Sequence, residues 1–281
     1  MSGILVTGAT GNVGGEVAKL LAAAGADVRA GVRQPQKWSG SGDPVAFDFL
    51  DAATHRAALD CVDKLFLVRP PALAKPEHDI VPFVDGAVAS GVEQIVFLSL
   101  LGVENNPFVP HRKIEAHIRL TGVPYTFLRA GFFMQNLNTA QLADICDHDE
   151  IFVPAGNGKT SFIDVRDIAA VGVKALTEPG HAYCAYPLTG DEALTYGQVA
   201  AQMTEVLGRP IRYPNPSPLA FIQRWRKRDE TLSFILVMTA LYTVTRLGRA
   251  GLVTEDLRRL LGRPAISMRQ YIEEYQAFWT R

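Results

Sequence analysis

The sequence predicts an α/β fold: a doubly wound parallel sheet followed by a smaller, mostly helical C-terminal lobe. Three observations predict it. Short apolar runs alternate with helical patterns without interruption from residue 4 to residue 128. A glycine-rich turn joins the first run to the first helix, and after about residue 190 the pattern turns predominantly helical. The expected organisation is therefore a nucleotide-binding type of domain over residues 1–190 and a lobe over 191–281 packed on it.

Residues 4–6 read as a buried strand, and Val13, Val17, Leu20 and Leu21 carry the spacing of the helix behind it. Between them lies G-x-x-G-x-x-G, formed by Gly8, Gly11 and Gly14. Gly8 permits a tight turn, Gly11 lets a diphosphate approach the backbone, and Gly14 allows helix and strand to pack closely. The N–H groups at the helix start then hold an anion. Glycine-rich turns are common in themselves, but this one follows a strand, opens a helix closed by Gly25 and leads into a second strand at 28–32, the context a dinucleotide site requires. This identifies a Rossmann-type domain, with Gly8, Thr10, Gly11, Asn12, Val13 and Gly14 as candidate cofactor residues.

After the second strand come Arg33 and Lys37. An acidic residue at this point suits the ribose hydroxyls of NAD, whereas a basic one suits the 2′-phosphate of NADP. Arg33 favours NADP (NADPH) over NAD, the bland alternative being a solvated loop charge. Residues 45–49 read as a third strand; Asp48 at its end either faces the adenine edge or caps the following helix, 52–59. A fourth strand at 64–68 runs into Arg69-Pro70-Pro71, a helix follows at 80–90, and a fifth strand at 94–98 ends at Ser99. Arg69 and Ser99 lie where such sheets place their ligands, and they complete the candidate cofactor set.

Pro110 opens a helix that Gly122 ends. His111 and Glu115 share one face of it, which on spacing alone reads as a surface pair worth a few tenths of a kcal/mol. A sixth strand at 125–128 leads to Phe132, Phe133 and Met134, candidates for an aromatic wall against a flat substrate or, alternatively, for core packing. Asn136 is placed to cap the next helix, and Asp164 with Asp167 reads as a variant capping box.

In the C-terminal part, Thr195 with Gln198 and Ser267 with Gln270 are further capping boxes. Between them come a short strand at 211–213, a Pro-rich link at 214–218 and a basic stretch, Arg224-Trp-Arg-Lys-Arg228. That cluster either binds an anionic substrate or lipid headgroup or is a solvated face. The apolar helix expected at 232–242 reads as a hydrophobic lid.

Composition excludes several classes. With 28 basic and 29 acidic residues, nothing attracts nucleic acid. The three cysteines are far apart and have no metal spacing, so neither a disulfide framework nor a metal site is expected. The start of the chain lacks the pattern of a signal peptide, and the uncharged run 231–245 is shorter than the ~20 residues of a membrane span. A cytoplasmic monomer or homodimer is expected.

The segments His111-Arg-Lys-Ile-Glu115, Thr121-Gly-Val-Pro-Tyr-Thr-Phe-Leu-Arg129 and Phe132-Phe-Met-Gln-Asn136 resemble the NmrA-like family of atypical short-chain dehydrogenases/reductases. The glycine motif, Ser99-Leu-Leu-Gly102, Ser161-Phe-Ile-Asp-Val-Arg-Asp-Ile168 and Tyr186-Pro-Leu-Thr-Gly190 fit the same pattern, so the likeness runs over essentially the whole chain. Members of that family include NADPH-dependent quinone, triphenylmethane-dye and isoflavone-type reductases, and also cofactor-binding redox sensors. The resemblance therefore implies the fold and cofactor more firmly than the substrate.

Typical short-chain dehydrogenases use Tyr-x-x-x-Lys as their proton donor, yet none of the eight tyrosines here has a lysine four residues later. Aligning Glu115 with the acidic residue that often follows that lysine puts His111 at the lysine position. The missing acid disfavours oxidation of ordinary alcohols and favours an activated acceptor such as a quinone or cationic dye. His111, with an ordinary pKa of ~6.5, becomes the candidate catalytic residue, orienting the nicotinamide ribose or exchanging a proton. The expected function is an NAD(P)H-dependent reductase of a small conjugated, largely apolar acceptor. The alternative is a non-catalytic redox sensor that regulates a partner protein.

Overall fold

The structure is a computed structural model and describes residues 3–228 and 231–280. It divides into two units: Met1–Ala130 with Val165–Leu188, and Gly131–Asp164 with Thr189–Arg281. Residues 131–164 belong with the second unit, so the first is assembled from two separate stretches of chain.

The first unit is built on β1 (Gly3–Val6), β2 (Asp27–Val32), β3 (Asp43–Ala46), β4 (Val62–Leu67), β5 (Gln94–Leu100), β6 (Tyr125–Ala130) and a final strand, Cys184–Leu188. These form one sheet in the order β3-β2-β1-β4-β5-β6 and then Cys184–Leu188, every pair parallel. Winding reverses between β1 and β4. Doubly wound sheets open their ligand crevice at that point, beyond the carboxyl ends of the strands.

Parallel strands covered on both faces read as continuous apolar runs, and β4 shows why. Leu65 and Leu67 point into a core with Leu5, Phe83, Phe97 and Phe127. Phe66 between them turns to the other face, where a Cβ added to Gly172 would come 2.8 Å from its ring. That face carries α1 (Asn12–Ala23) and the helix Val165–Thr177, packed on one another. On the opposite face lie α2 (His55–Leu59), α3 (Pro76–Asp79), α4 (Val81–Ala89) and α5 (Pro110–Thr121).

The sequence places most of these elements, with local differences. The third strand is shifted towards its start, because Phe47 and Phe49 leave the sheet to pack edge-on at 4.8 Å, with Phe47 4.7 Å from Phe83. The strand Cys184–Leu188 has no counterpart among the strands read from the sequence, since Pro187 breaks the usual strand pattern. It fits because it sits at the sheet edge.

In the second unit the short strands β7 (Phe132–Phe133) and β8 (Phe162–Ile163) pair in parallel. With α6 (Leu142–His148) counted, Val165–Thr177 is α7 and Cys184–Leu188 is β9. The later helices are α8 (Tyr196–Leu207), α9 (Pro218–Trp225), α10 (Leu232–Arg246), α11 (Asp256–Leu261) and α12 (Met268–Tyr275). Their core holds Tyr196, Phe221, Trp225, Tyr242, Tyr271 and Trp279.

Thr195 and Gln198 form the expected reciprocal capping box, and Ser267 accepts from the Gln270 N–H. The residue at the cap position of α6 is Gln141, and Asn136 lies instead inside a 3₁₀ turn, Met134–Asn138. The strand expected at 211–213 reduces to one bridge, Arg212 to Glu150.

Candidate functional site

The turn after β1 is shaped by its glycines. Gly8 has φ +63°, and the Gly11 N–H returns to the Gly8 carbonyl at 2.9 Å. A Cβ at Gly14 would lie 2.7 Å from the Gly8 carbonyl carbon and 2.9 Å from the Thr7 carbonyl oxygen. No side chain among the described residues caps α1, and its first turn has no acidic residue. The N–H groups of Asn12 and Val13 thus begin a helix without intrahelical acceptors, at its electropositive end.

Thr10, Gly11 and Asn12 are exposed here, while Val13 is buried and anchors the helix start. This cradle, which any larger residue at Gly14 would fill, fits the diphosphate of a dinucleotide. Sequence reasoning missed Thr7, whose hydroxyl accepts from the Val68 N–H at 2.8 Å and so ties the end of β1 to that of β4.

Arg33 follows β2, exposed and without an ion-pair partner among the described residues, so its guanidinium remains available to a phosphate. Asp48 is half-buried, and its carboxylate accepts from the Leu50 N–H at 3.0 Å; Asp51, not Asp48, caps the turn that follows. Arg69 is turned onto its own loop, where Nη1 donates to the carbonyls of Pro70, Pro71 and Leu73 at 2.9, 3.2 and 2.7 Å. Burial lowers its pKa, partly offset by Asp79. In this conformation Arg69 braces the loop after β4.

Ser99 is buried and donates to Glu115 at 2.6 Å. The same carboxylate receives Arg129 through Nε at 3.1 Å and Nη2 at 2.7 Å. Arg129 also reaches Glu104 at 3.2 Å. A bidentate guanidinium–carboxylate pair with a hydroxyl donor is a satisfied buried network, and it joins the middle of α5 to the carboxyl ends of β5 and β6. Glu115 is therefore no surface partner of His111. Spacing on α5 placed the two on one face correctly, but that face points inward, and Arg129, distant in sequence, takes the carboxylate.

His111 is buried too, its ring stacked on Phe97 at 5.7 Å. Burial, aided by the Arg69 charge, lowers its pKa to about 3. The imidazole is then neutral at pH 7, which corrects the expectation of proton exchange near neutrality. Its Nδ1 is buried without a hydrogen-bond partner among the described residues.

In the second unit Phe132 and Phe133 are half-buried, and Phe132 leans on Tyr242 at 6.2 Å. Met134 is buried and lines a cavity of about 350 Å³ with Phe162, Leu194, Ile266 and Met268. The basic stretch is partly consumed within this unit. Arg224 pairs with Asp144 at 3.2 Å and Glu150 at 3.0 Å and lies over the Phe152 ring, while Arg228 also pairs with the fully buried Asp144.

The sequence pattern of the NmrA-like family matches residues 1–225. The chain belongs to that family. It is 34% identical to the NAD(P)H azoreductase of Xenophilus azovorans over 98% of both chains. Quinone oxidoreductase 2 of Escherichia coli is 32% identical, covering 78% of this NmrA-like chain and 79% of its own length. The solved NADPH-dependent quinone oxidoreductase of Escherichia coli complexed with NADPH superposes with a TM-score of 0.85 at 26% identity, covering 96% of this chain and 99% of that one.

Proposed function

We propose that the protein is an NADPH-dependent oxidoreductase that reduces a quinone-like or other conjugated, largely apolar small molecule. The observation that carries this reading is the glycine cradle at the head of α1, with no acidic residue in its first turn, together with an exposed Arg33 that has no ion-pair partner among the described residues. The azo and quinone reductases among its relatives, named for NAD(P)H or solved with NADPH, support it.

NADPH, when bound, supplies the hydride. The N–H groups of Asn12 and Val13 would hold the diphosphate, Gly8, Gly11 and Gly14 would leave it room, and Arg33 would pair with the 2′-phosphate. Thr10 and Asp48 would border the same crevice, while Arg69 braces the loop after β4 and Ser99 the end of β5. Phe132, Phe133 and Met134 offer apolar surface to a flat acceptor and exclude water. His111 acts as a neutral group with one N–H to give, orienting rather than acidifying. Such a site suits acceptors that take hydride without a strong acid and draw their proton from water. The cytoplasm is the compartment proposed with this reading, and a monomer or homodimer the state.

The test mixes the protein with NADPH and a panel of quinones, azo dyes and cationic dyes, and follows the nicotinamide absorbance while cofactor binding is titrated in parallel. Turnover above the uncatalysed rate is expected. Tight NADPH binding without turnover on any acceptor would overturn the reading in favour of a cofactor sensor.

A further inference from the structure

Helix α10 is apolar on two opposite sides. Ile235, Met238, Tyr242 and Thr245 recur at helical spacing and are buried. At about 100° per residue, Leu232, Leu236, Val237, Leu241, Val244 and Leu247 fall on the other side, and all are exposed. Leu236, Val237 and Leu247 keep 51%, 57% and 67% of their surface in water, and Leu252 and Val253, after the helix, are exposed as well. Over its 15 residues the helix has no acidic side chain and one basic one, Arg246. A surface helix ordinarily turns polar residues outward, so an outward stripe of leucine and valine marks a contact surface.

Cations frame this stripe at both ends. Arg226 and Lys227 precede it, Arg246 ends the helix with Nη1 donating to the Pro154 carbonyl at 3.4 Å, and Arg249 follows, all four exposed. Lys159 joins the second group, since a Cβ at Gly251 would lie 3.3 Å from the Lys159 Cβ. While Arg224 and Arg228 are held by Asp144, the side chains of Arg226, Lys227, Arg249 and Lys159 have no partner among the described residues. From 224 to 249 the sequence holds six basic residues against two acidic ones, Asp229 and Glu230, which lie outside the described residues.

We propose that this face docks on an anionic phospholipid bilayer, with α10 lying in the plane of the interface. A bilayer satisfies both halves of the pattern: leucine and valine enter the boundary between headgroups and acyl chains, and the flanking cations meet lipid phosphates. A second copy of the chain does not, because parallel or antiparallel pairing of α10 across this stripe sets one cationic end against another. The helix lies on the membrane and does not cross it. Its 15 residues reach about 22 Å against a hydrocarbon core of about 30 Å, and no helix among the described residues is long and apolar enough to span. The proposal stands on this surface alone, independent of the acceptor reduced.

The test is co-sedimentation of the whole protein with vesicles of phosphatidylcholine alone and of phosphatidylcholine with phosphatidylglycerol, at low and raised salt. Binding to the anionic vesicles that weakens with salt is expected. The double variant Arg226→Gln/Lys227→Gln should bind them about 30-fold more weakly, as about 1 kcal/mol for each basic residue at the surface implies. Leu236→Gln/Val237→Gln should abolish binding while circular dichroism and the thermal transition stay as in the parent, because both side chains already face water. Absence of binding to anionic vesicles overturns the proposal, and so does binding that ignores lipid charge. A concentration-dependent dimer, seen by light scattering in a protein that ignores vesicles and dissolved by Leu236→Gln/Val237→Gln, also overturns it and assigns the face to a second copy.

Discussion

Replacing Gly14 by alanine should separate NADPH binding from the rest of the fold. The added Cβ would stand 2.7 Å from the Gly8 carbonyl carbon and 2.9 Å from the Thr7 oxygen, both backbone atoms that cannot swing aside. Carbon contacts are comfortable at about 3.5–4.0 Å, so relief requires the head of α1 to move about 1 Å from the turn. That movement takes an N–H···O bond of about 2.9 Å to about 3.9 Å, outside bonding range.

The N–H groups of Asn12 and Val13 would each give the diphosphate a charged hydrogen bond worth about 1.5–3 kcal/mol. Losing both weakens NADPH by about 3–6 kcal/mol, a factor of about 10² to 10⁴ in Kd. Overpacking removes a further ~1–3 kcal/mol of stability. Gly11→Ala provides the contrast: its Cβ would meet only the Gly8 oxygen, at 3.3 Å, so the thermal transition should hold while affinity falls by encroachment on the diphosphate. Fluorescence titration with NADPH and thermal unfolding measure both quantities. A Gly14→Ala protein that binds NADPH within about threefold of the parent would refute the cradle as the diphosphate site.

Three other substitutions probe the remaining assignments. Arg33→Glu should weaken NADPH by about 10- to 100-fold, the loss of one charge-assisted bond, and leave NADH nearly unchanged; equal losses in the two titrations would remove Arg33 from the 2′-phosphate. Phe133→Ala should raise KM for a flat acceptor with NADPH affinity intact, and an unchanged KM in steady-state assays would return Phe133 to packing. His111, lowered from 6.5 to about 3, favours the folded state while neutral. Its contribution is complete above the unfolded pKa of ~6.5 and falls as the pH drops towards 3, by about 2 kcal/mol between pH 7 and pH 5. Denaturant unfolding at both values should show His111→Leu losing less stability than the parent over that interval, and identical losses would mean the ring is not held neutral.

Six of the seven strands of the sheet were legible because their signals are local. An apolar run, a glycine turn and an amphipathic helix lie within one stretch of chain, and the structure follows them from β1 to β6 to within a few residues. What escaped depends on partners distant in sequence. Nothing near Glu115 announces that Arg129 and Ser99 will claim its carboxylate, so spacing alone gave it a surface role. Arg69 reads as a ligand-facing cation until the loop carbonyls that fold around it are seen. The charge run at 224–228 likewise hid a division: Arg224 and Arg228 meet acids some eighty positions earlier, and Arg226 and Lys227 meet none among the described residues. The strand Cys184–Leu188 carries a proline and pairs at the sheet edge, where pattern is weakest.

The interleaving of the two units has a consequence for synthesis. Residues 131–164 bring Met134, Leu137, Ile145, Ile151 and Val153, among others, to a core whose members outside that segment, such as Tyr196, Phe221, Tyr242 and Trp279, come after Leu188. On a ribosome adding ~5–20 residues each second, this early segment stands on the order of ten seconds without the helices that cover it. The nascent sheet meanwhile gains its last strand, β9, from chain made after that segment. A chain cut near residue 190 would leave the same apolar side chains permanently bare, so an isolated fragment 1–190 should aggregate.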